Sequence, residues 1–248
     1  MKIEVKGPII PDGDQWIYDW CDVPATSAGK VNKLLNQAQD GEEIEVMINS
    51  GGGSVFAGSE IYTTLKSYTK GKVVGKIVGI AGSATSVISM GCHELQISPT
   101  GQIMIHNASG VFQGDYNDME LGADILKNIN SSIANAYEIK TGKPHAELLK
   151  MMNNETWLTA QKALELGFVD KIMFADEAQF TNEVKTDSNG LLPKAVIEKM
   201  TNEKGRNIEN TTVENHMPDT GTMVENKKDV ELAKAKLKLL TTIGGIKK

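Results

Sequence analysis

The chain is expected to fold as an α/β domain around a largely parallel sheet, and three features of its sequence carry that expectation. Apolar runs of strand length alternate with segments of helical period through residues 1–175. The two strongest runs, residues 44–48 and 72–80, are rich in Ile and Val, as in strands covered on both faces. Beyond Phe180 the composition changes: residues 181–248 hold no aromatic residue and are dominated by Asn, Thr, Lys and Glu. Strand, helix, strand, helix in that order describes βαβ units. The expected organisation is therefore one domain over residues 1–180 and a polar tail over 181–248.

Weaker strand-like runs occupy residues 15–18, 94–97 and 102–105. Helical patterns lie between the runs at residues 27–38, 55–68 and 85–90, and a longer amphipathic one runs from about Asp118 to Ile139. Thr141-Gly142-Lys143-Pro144 combines a stop signal with a fresh helix start. Leu158-Thr159-Ala160 opens a short helix through Leu166, with Gly167 placed to end it. In the tail, residues 187–190 have linker composition and 201–222 are polar enough for disorder. Residues 227–240 carry a partial apolar stripe that suggests a short helix.

Hydrophobic residues make up 40% of the 248 and charged residues 23%, the balance of a soluble globular protein. A net charge of −6 and a pI near 5.3 give no electrostatic support to a nucleic-acid or anionic-membrane partner. Arg206 is the sole arginine, so residues 1–205 contain no bidentate clamp for phosphate. Cys21 and Cys92 match no metal-ligand spacing, and buried thiols in a reducing compartment are the simplest account of them. The N-terminus has no apolar signal core and no run approaches ~18 apolar residues, so a cytoplasmic protein is expected.

Three segments carry candidate chemistry. In Gly79-Ile80-Ala81-Gly82-Ser83-Ala84-Thr85-Ser86 a strand ends and a helix begins. A serine at that corner faces unpaired N–H groups, and its small neighbours leave room for a substrate carbonyl. Ser83 is thus either a nucleophile or simply a helix cap. In Ile103-Met104-Ile105-His106-Asn107 the histidine closes an apolar strand, where it could be a base for a serine or a hydrogen-bonded structural residue. Asn49-Ser50-Gly51-Gly52-Gly53 follows a strand and precedes a helix. It suits either an oxyanion-binding backbone or a tight turn, while the missing Gly-Lys-Ser/Thr excludes a P-loop.

Together these segments resemble the Clp protease proteolytic subunit family, in order and in spacing. Ile48–Gly53 is similar to its I-N-S-P-G-G loop, with Gly51 in place of the proline. Gly79–Ser83 is similar to its G-Q-A-A-S turn, and Met104-Ile105-His106 matches its M-I-H strand end. Gly110–Gly114 is similar to its G-G-Y-Q-G segment, and Trp157–Ala160 through Leu164–Asp170 to its closing F-L-S-A…Y-G-L-V-D. The resemblance covers about residues 15–175.

It implies the family's fold of repeated β-β-α units, shared with crotonases, and a Ser-His-acid peptidase that needs no cofactor or metal. Ser83 falls on the nucleophile, His106 on the base and Glu155 on the acid, where the family has Asp; Asp170 is the alternative acid. The N–H groups of Gly52 and Ala84 fall on the oxyanion donors. Peptide or protein substrates and a homo-oligomeric ring are implied, and an ATPase partner is left open. Asn154 and Thr156 flank Glu155 where the family often has Arg. That divergence and the Lys- and Asn-rich tail are similar to the phage branch that processes capsid or scaffold proteins. A crotonase-type acyl-CoA enzyme and an inactive assembly protein are the rival readings.

Overall fold

The computed structural model describes residues 1–175 as one unit. The expected linker at 187–190 and helix at 227–240 lie outside the described residues, as does the rest of the polar tail.

Among the described residues seven strands form one sheet: β1 (Lys2–Lys6), β2 (Ile44–Ser50), β3 (Val73–Gly82), β4 (Glu94–Ile97), β5 (Gln102–Ile105), β6 (Thr156–Thr159) and β7 (Lys171–Ile172). The main path runs β1-β2-β3-β4-β7, all parallel. Strand β5 leaves this path, pairing parallel with β3 and antiparallel with β6. The helices are α1 (Gln15–Trp20), α2 (Ala28–Leu35), α3 (Val55–Lys66), α4 (Ala84–Met90), α5 (Tyr116–Thr141), α6 (His145–Asn153) and α7 (Ala160–Glu165).

Strands β1 and β2 bury alternate residues, one face of each turned to the core, and β3 is buried at most of its positions. Ile3, Val5, Ile44, Val46, Ile48, Val73 and Ile77 are fully buried, each side chain contributing about 1.5–3 kcal/mol relative to exposure. Most helices begin on a side chain suited to the task. Ser27, Ser54 and Thr159 accept from an N–H of the first turn of α2, α3 and α7. Asp115 and Asp118 form a capping box on α5, and Gly142 ends that helix in the left-handed conformation at φ 67°.

Strand β3 decides the site. Its first half, Val74–Ile77, pairs with β4, and its last three residues pair with β5. Strand β2 shifts register between Ile48 and Ser50, which sets Ser50 beside Ala81. The C-terminal ends of β2, β3 and β5 therefore converge, the place where parallel sheets bind ligands.

Two expectations need correction. Residues 15–18 are helical, not a strand. The aromatic content of Gln-Trp-Ile-Tyr-Asp-Trp suggests β structure, yet none of these side chains is buried, and Gln15 Nε2 donates to Asp19 Oδ1 at 2.9 Å across one helical turn. Residues 156–159 form β6 before the helix that Thr159 caps. Strand β1 was not anticipated, although Lys-Ile-Glu-Val-Lys alternates cleanly and Ile3 and Val5 are its buried face.

Candidate active site

Ser83 stands between the last residue of β3 and the first of α4, with φ 52° and ψ −125°. A non-glycine residue in that region is strained by roughly 1–3 kcal/mol, so its surroundings must hold it. They do so through the backbone: Ser83 N–H donates to the Met104 carbonyl at 2.9 Å, and the Ser83 carbonyl accepts from Ser86 N–H at 2.9 Å. Strained serines that join a strand to a helix expose their hydroxyl at the top of the sheet.

The β3–β5 register pairs Gly82 with Met104, so each chain has only a short step to the site. That step brings Ser83 Oγ to 2.8 Å from His106 Nε2. The ring is partly buried, within reach of solvent and substrate. The other described histidines have different partners. His93 Nδ1 accepts from Val73 N–H at 3.0 Å, and His145 bonds Ser131 and Glu138.

Gly52, in the loop that follows β2, faces the serine. With φ at +109°, a Cβ there would stand 2.6 Å from Ser83 Cβ and 2.8 Å from the Gly82 carbonyl oxygen. Only glycine permits this approach. Below it, buried Ser50 ties the loop down. Ser50 Oγ accepts from Gly52 N–H at 3.2 Å and from Thr85 Oγ1 at 2.8 Å, and donates to the Gly7 carbonyl at 2.6 Å. Ala84 is the first residue of α4, so its N–H has no acceptor within its own helix and borders Ser83.

Glu155 reaches the site through β6. Ile105 pairs with Thr156 in the last rung of the antiparallel ladder, so Glu155 directly precedes, and His106 directly follows, paired residues. The carboxylate is exposed, and its Oε1 accepts from Trp157 Nε1 at 3.2 Å. Among the described residues no hydrogen bond joins it to His106. Glu155 also adopts a positive φ of 45°.

Asp170 lies elsewhere. Its Oδ2 accepts from Leu95 N–H at 2.6 Å, near the start of β4, and from Lys140 Nζ at 2.5 Å. It joins strand, helix and loop at the far end of the sheet from Ser83. Cys92 is buried, and burial pushes its thiol up to about 12, so it is no nucleophile. Among the described residues no group of three or more His, Cys, Asp or Glu could hold a metal ion, and no helix is long and apolar enough to cross a membrane.

The buried polar groups of α4 have no signature in the sequence. Thr85, Ser86 and Ser89 are each fully buried, although the local pattern marks Ser86 and Ser89 only as residues inside a helix. The side-chain partners of Thr85 and Ser86 lie 35 and 51 residues away, so no local pattern could reveal them.

A family model described as Clp protease matches residues 25–176. The ATP-dependent Clp protease proteolytic subunit of Porphyromonas gingivalis is 33% identical over 141 residues, 56% of this chain and 63% of the relative. The match thus spans less than two thirds of that relative's length. Proteolytic subunit 1 of Protochlamydia amoebophila is 34% identical over 159 residues, 60% of this chain and 77% of the relative. The Deinococcus radiodurans subunit is 32% identical over 142 residues, 56% of this chain and 69% of the relative. With its mixed α/β sheet and a family match across most of the described residues, the chain belongs to the Clp protease family.

Proposed function

We propose that this chain is a serine endopeptidase with Ser83 as nucleophile and His106 as general base. The observation that carries the reading is the 2.8 Å contact between Ser83 Oγ and His106 Nε2, at a strained strand-to-helix turn. In the proposed mechanism His106 takes the hydroxyl proton as Ser83 Oγ attacks the scissile carbonyl carbon. The carbonyl pair moves onto oxygen, where the Ala84 and Gly52 N–H groups stabilise the anion. Collapse breaks the C–N bond as His106 returns the proton to the leaving amine. Water then repeats the sequence on the ester and frees Ser83.

Gly52 is the weaker oxyanion donor, because Ser50 Oγ competes for its N–H at 3.2 Å. Glu155 is the proposed acid. Once its carboxylate turns from the Trp157 indole to His106 Nδ1, it orients the ring and stabilises the imidazolium. The strand register supports this assignment.

The substrates in this reading are polypeptides, and the working form is a homo-oligomeric ring around a chamber. Exposed Trp16, Val111, Tyr116 and Leu121 are large apolar side chains that contacts between subunits would cover. Processing of phage capsid or scaffold proteins is the finer form of the proposal. An ATPase that feeds the chamber rests on the relatives' names alone.

The test is labelling by a fluorophosphonate and hydrolysis of casein by wild type and Ser83→Ala. Both activities are expected in wild type and absent in the variant. Labelling that persists in Ser83→Ala would transfer the role to another serine.

A further inference from the structure

Behind the nucleophile lies a buried polar chain that the proposed chemistry leaves unused. Buried hydroxyls must be paired, and those of α4 are paired in different ways. Ser89 Oγ donates to the Thr85 carbonyl of its own helix at 2.8 Å, a purely local bond. Ser86 Oγ instead donates to the carbonyl of Ser83 at 2.6 Å and lies 2.7 Å from the hydroxyl of Tyr137 on α5. A carbonyl can only accept and a serine has one proton, so the direction is determined. Tyr137 donates to Ser86, and Ser86 donates to the peptide of the nucleophile.

The relay ends on the residue whose backbone is strained. The Ser83 carbonyl also receives the N–H groups of Ser86 and Val87, at 2.9 and 3.4 Å. The hydroxyl adds a third and shortest bond that fixes the plane of that peptide. Tyr137 is itself held firmly: it is 1% exposed, its ring packs at 5.7 Å from Phe168, and burial raises its hydroxyl's pKa, so it stays a neutral donor. A Phe and an Ala of the same shape would fill this space at nearly equal stability, since replacing both partners of a buried hydrogen bond is close to neutral. What distinguishes the polar pair from an apolar one is its bond to the Ser83 carbonyl.

We propose that Tyr137 and Ser86 are positioning residues, a relay from α5 that holds Ser83 in its reactive conformation. The inference rests on Ser83 as the nucleophile. It assigns Tyr137 and Ser86 an action through the Ser83 backbone, without contact to substrate.

The experiment measures fluorophosphonate inactivation, separating the limiting rate from the inhibitor's binding constant, in wild type, Tyr137→Phe, Ser86→Ala and the double variant. Thermal unfolding of each checks the fold. The limiting rate should fall about tenfold in either single variant, with binding changed by no more than about twofold. The double variant should fall no further, because either change breaks the same relay. Limiting rates near wild type in folded single variants, or single effects that multiply in the double, overturn the inference. Should Tyr137→Phe fail to fold, Ser86→Ala decides by itself: a fall in limiting rate alone supports the relay, and an unchanged rate overturns it. Labelling that survives Ser83→Ala would sink the nucleophile assignment instead, and the two failures are distinct.

Discussion

Replacing Gly52 by alanine sets the two halves of the site against each other, and the structure supplies the size of the effect. At φ +109° an L-residue is strained by roughly 1–3 kcal/mol. The new methyl would stand 2.6 Å from Ser83 Cβ, 2.8 Å from the Gly82 carbonyl oxygen and 3.1 Å from the Ala84 nitrogen. Two of these three are backbone atoms, which cannot swing aside as a flexible side chain would. Overpacking of this kind adds roughly 1–3 kcal/mol. The sum, on the order of 2–6 kcal/mol, lowers Tm by roughly 5–20 °C for a domain of this size. Relief of the clash must push the Gly52 loop and the Ser83 turn apart, which would displace the proposed oxyanion donor and should slow the reaction about 100- to 1,000-fold. Thermal unfolding and the rate of fluorophosphonate labelling read the two effects separately. The neighbour Gly51 is the control: its Cβ would meet nothing within 4 Å, so Gly51→Ala should change stability by less than about 0.5 kcal/mol. A Gly52→Ala protein that melts and labels like wild type would refute the proposed packing of loop against nucleophile.

Other outcomes follow from single contacts. Glu155→Gln should lower peptide hydrolysis about 100- to 10,000-fold if the carboxylate stabilises the imidazolium. Trp157→Phe, which frees that carboxylate from its indole partner, should leave the rate at or above wild type; wild-type hydrolysis in Glu155→Gln would remove it from the mechanism. The Cys92 thiol, pushed up to about 12 by burial, should resist a disulfide reagent at pH 8 until the protein unfolds, while less-buried Cys21 reacts in the native state. Rapid native labelling in Cys21→Ser would contradict this. Glu94 is held below the usual carboxylate range, first by its bond to Lys72 and then by Gln96. The stability it contributes is present above the ordinary carboxylate pKa and is lost as pH falls through the lowered folded value. The stability gap between wild type and Glu94→Gln should therefore close as pH drops well below about 4, and a gap that widens there would contradict the ion pair.

Much of the fold was legible because its signals are local. The runs at 44–48 and 72–80 became β2 and β3 since their Ile and Val side chains supply a face that the core buries, and Gly142 ended α5 because no other residue adopts that conformation so easily. The segment at 15–18 misled because aromatic content mimics a strand where no sheet edge accepts one. Strand β1 passed unnoticed because five alternating residues are a short signal in a charged stretch.

By itself the sequence determined the α/β class, the candidate residues Ser83, His106, Glu155 and Gly52, and a resemblance to the family. Tertiary structure alone decided that β3 divides between β4 and β5, that Ser83 and His106 meet at 2.8 Å, and that Asp170 lies remote from both. It alone turned Glu155 toward Trp157 and joined Tyr137 to Ser86. The physical reason is range. Periodicity and capping act within one or two turns of chain, whereas strand partners and buried hydroxyl pairs are chosen only when distant segments compete for one interior.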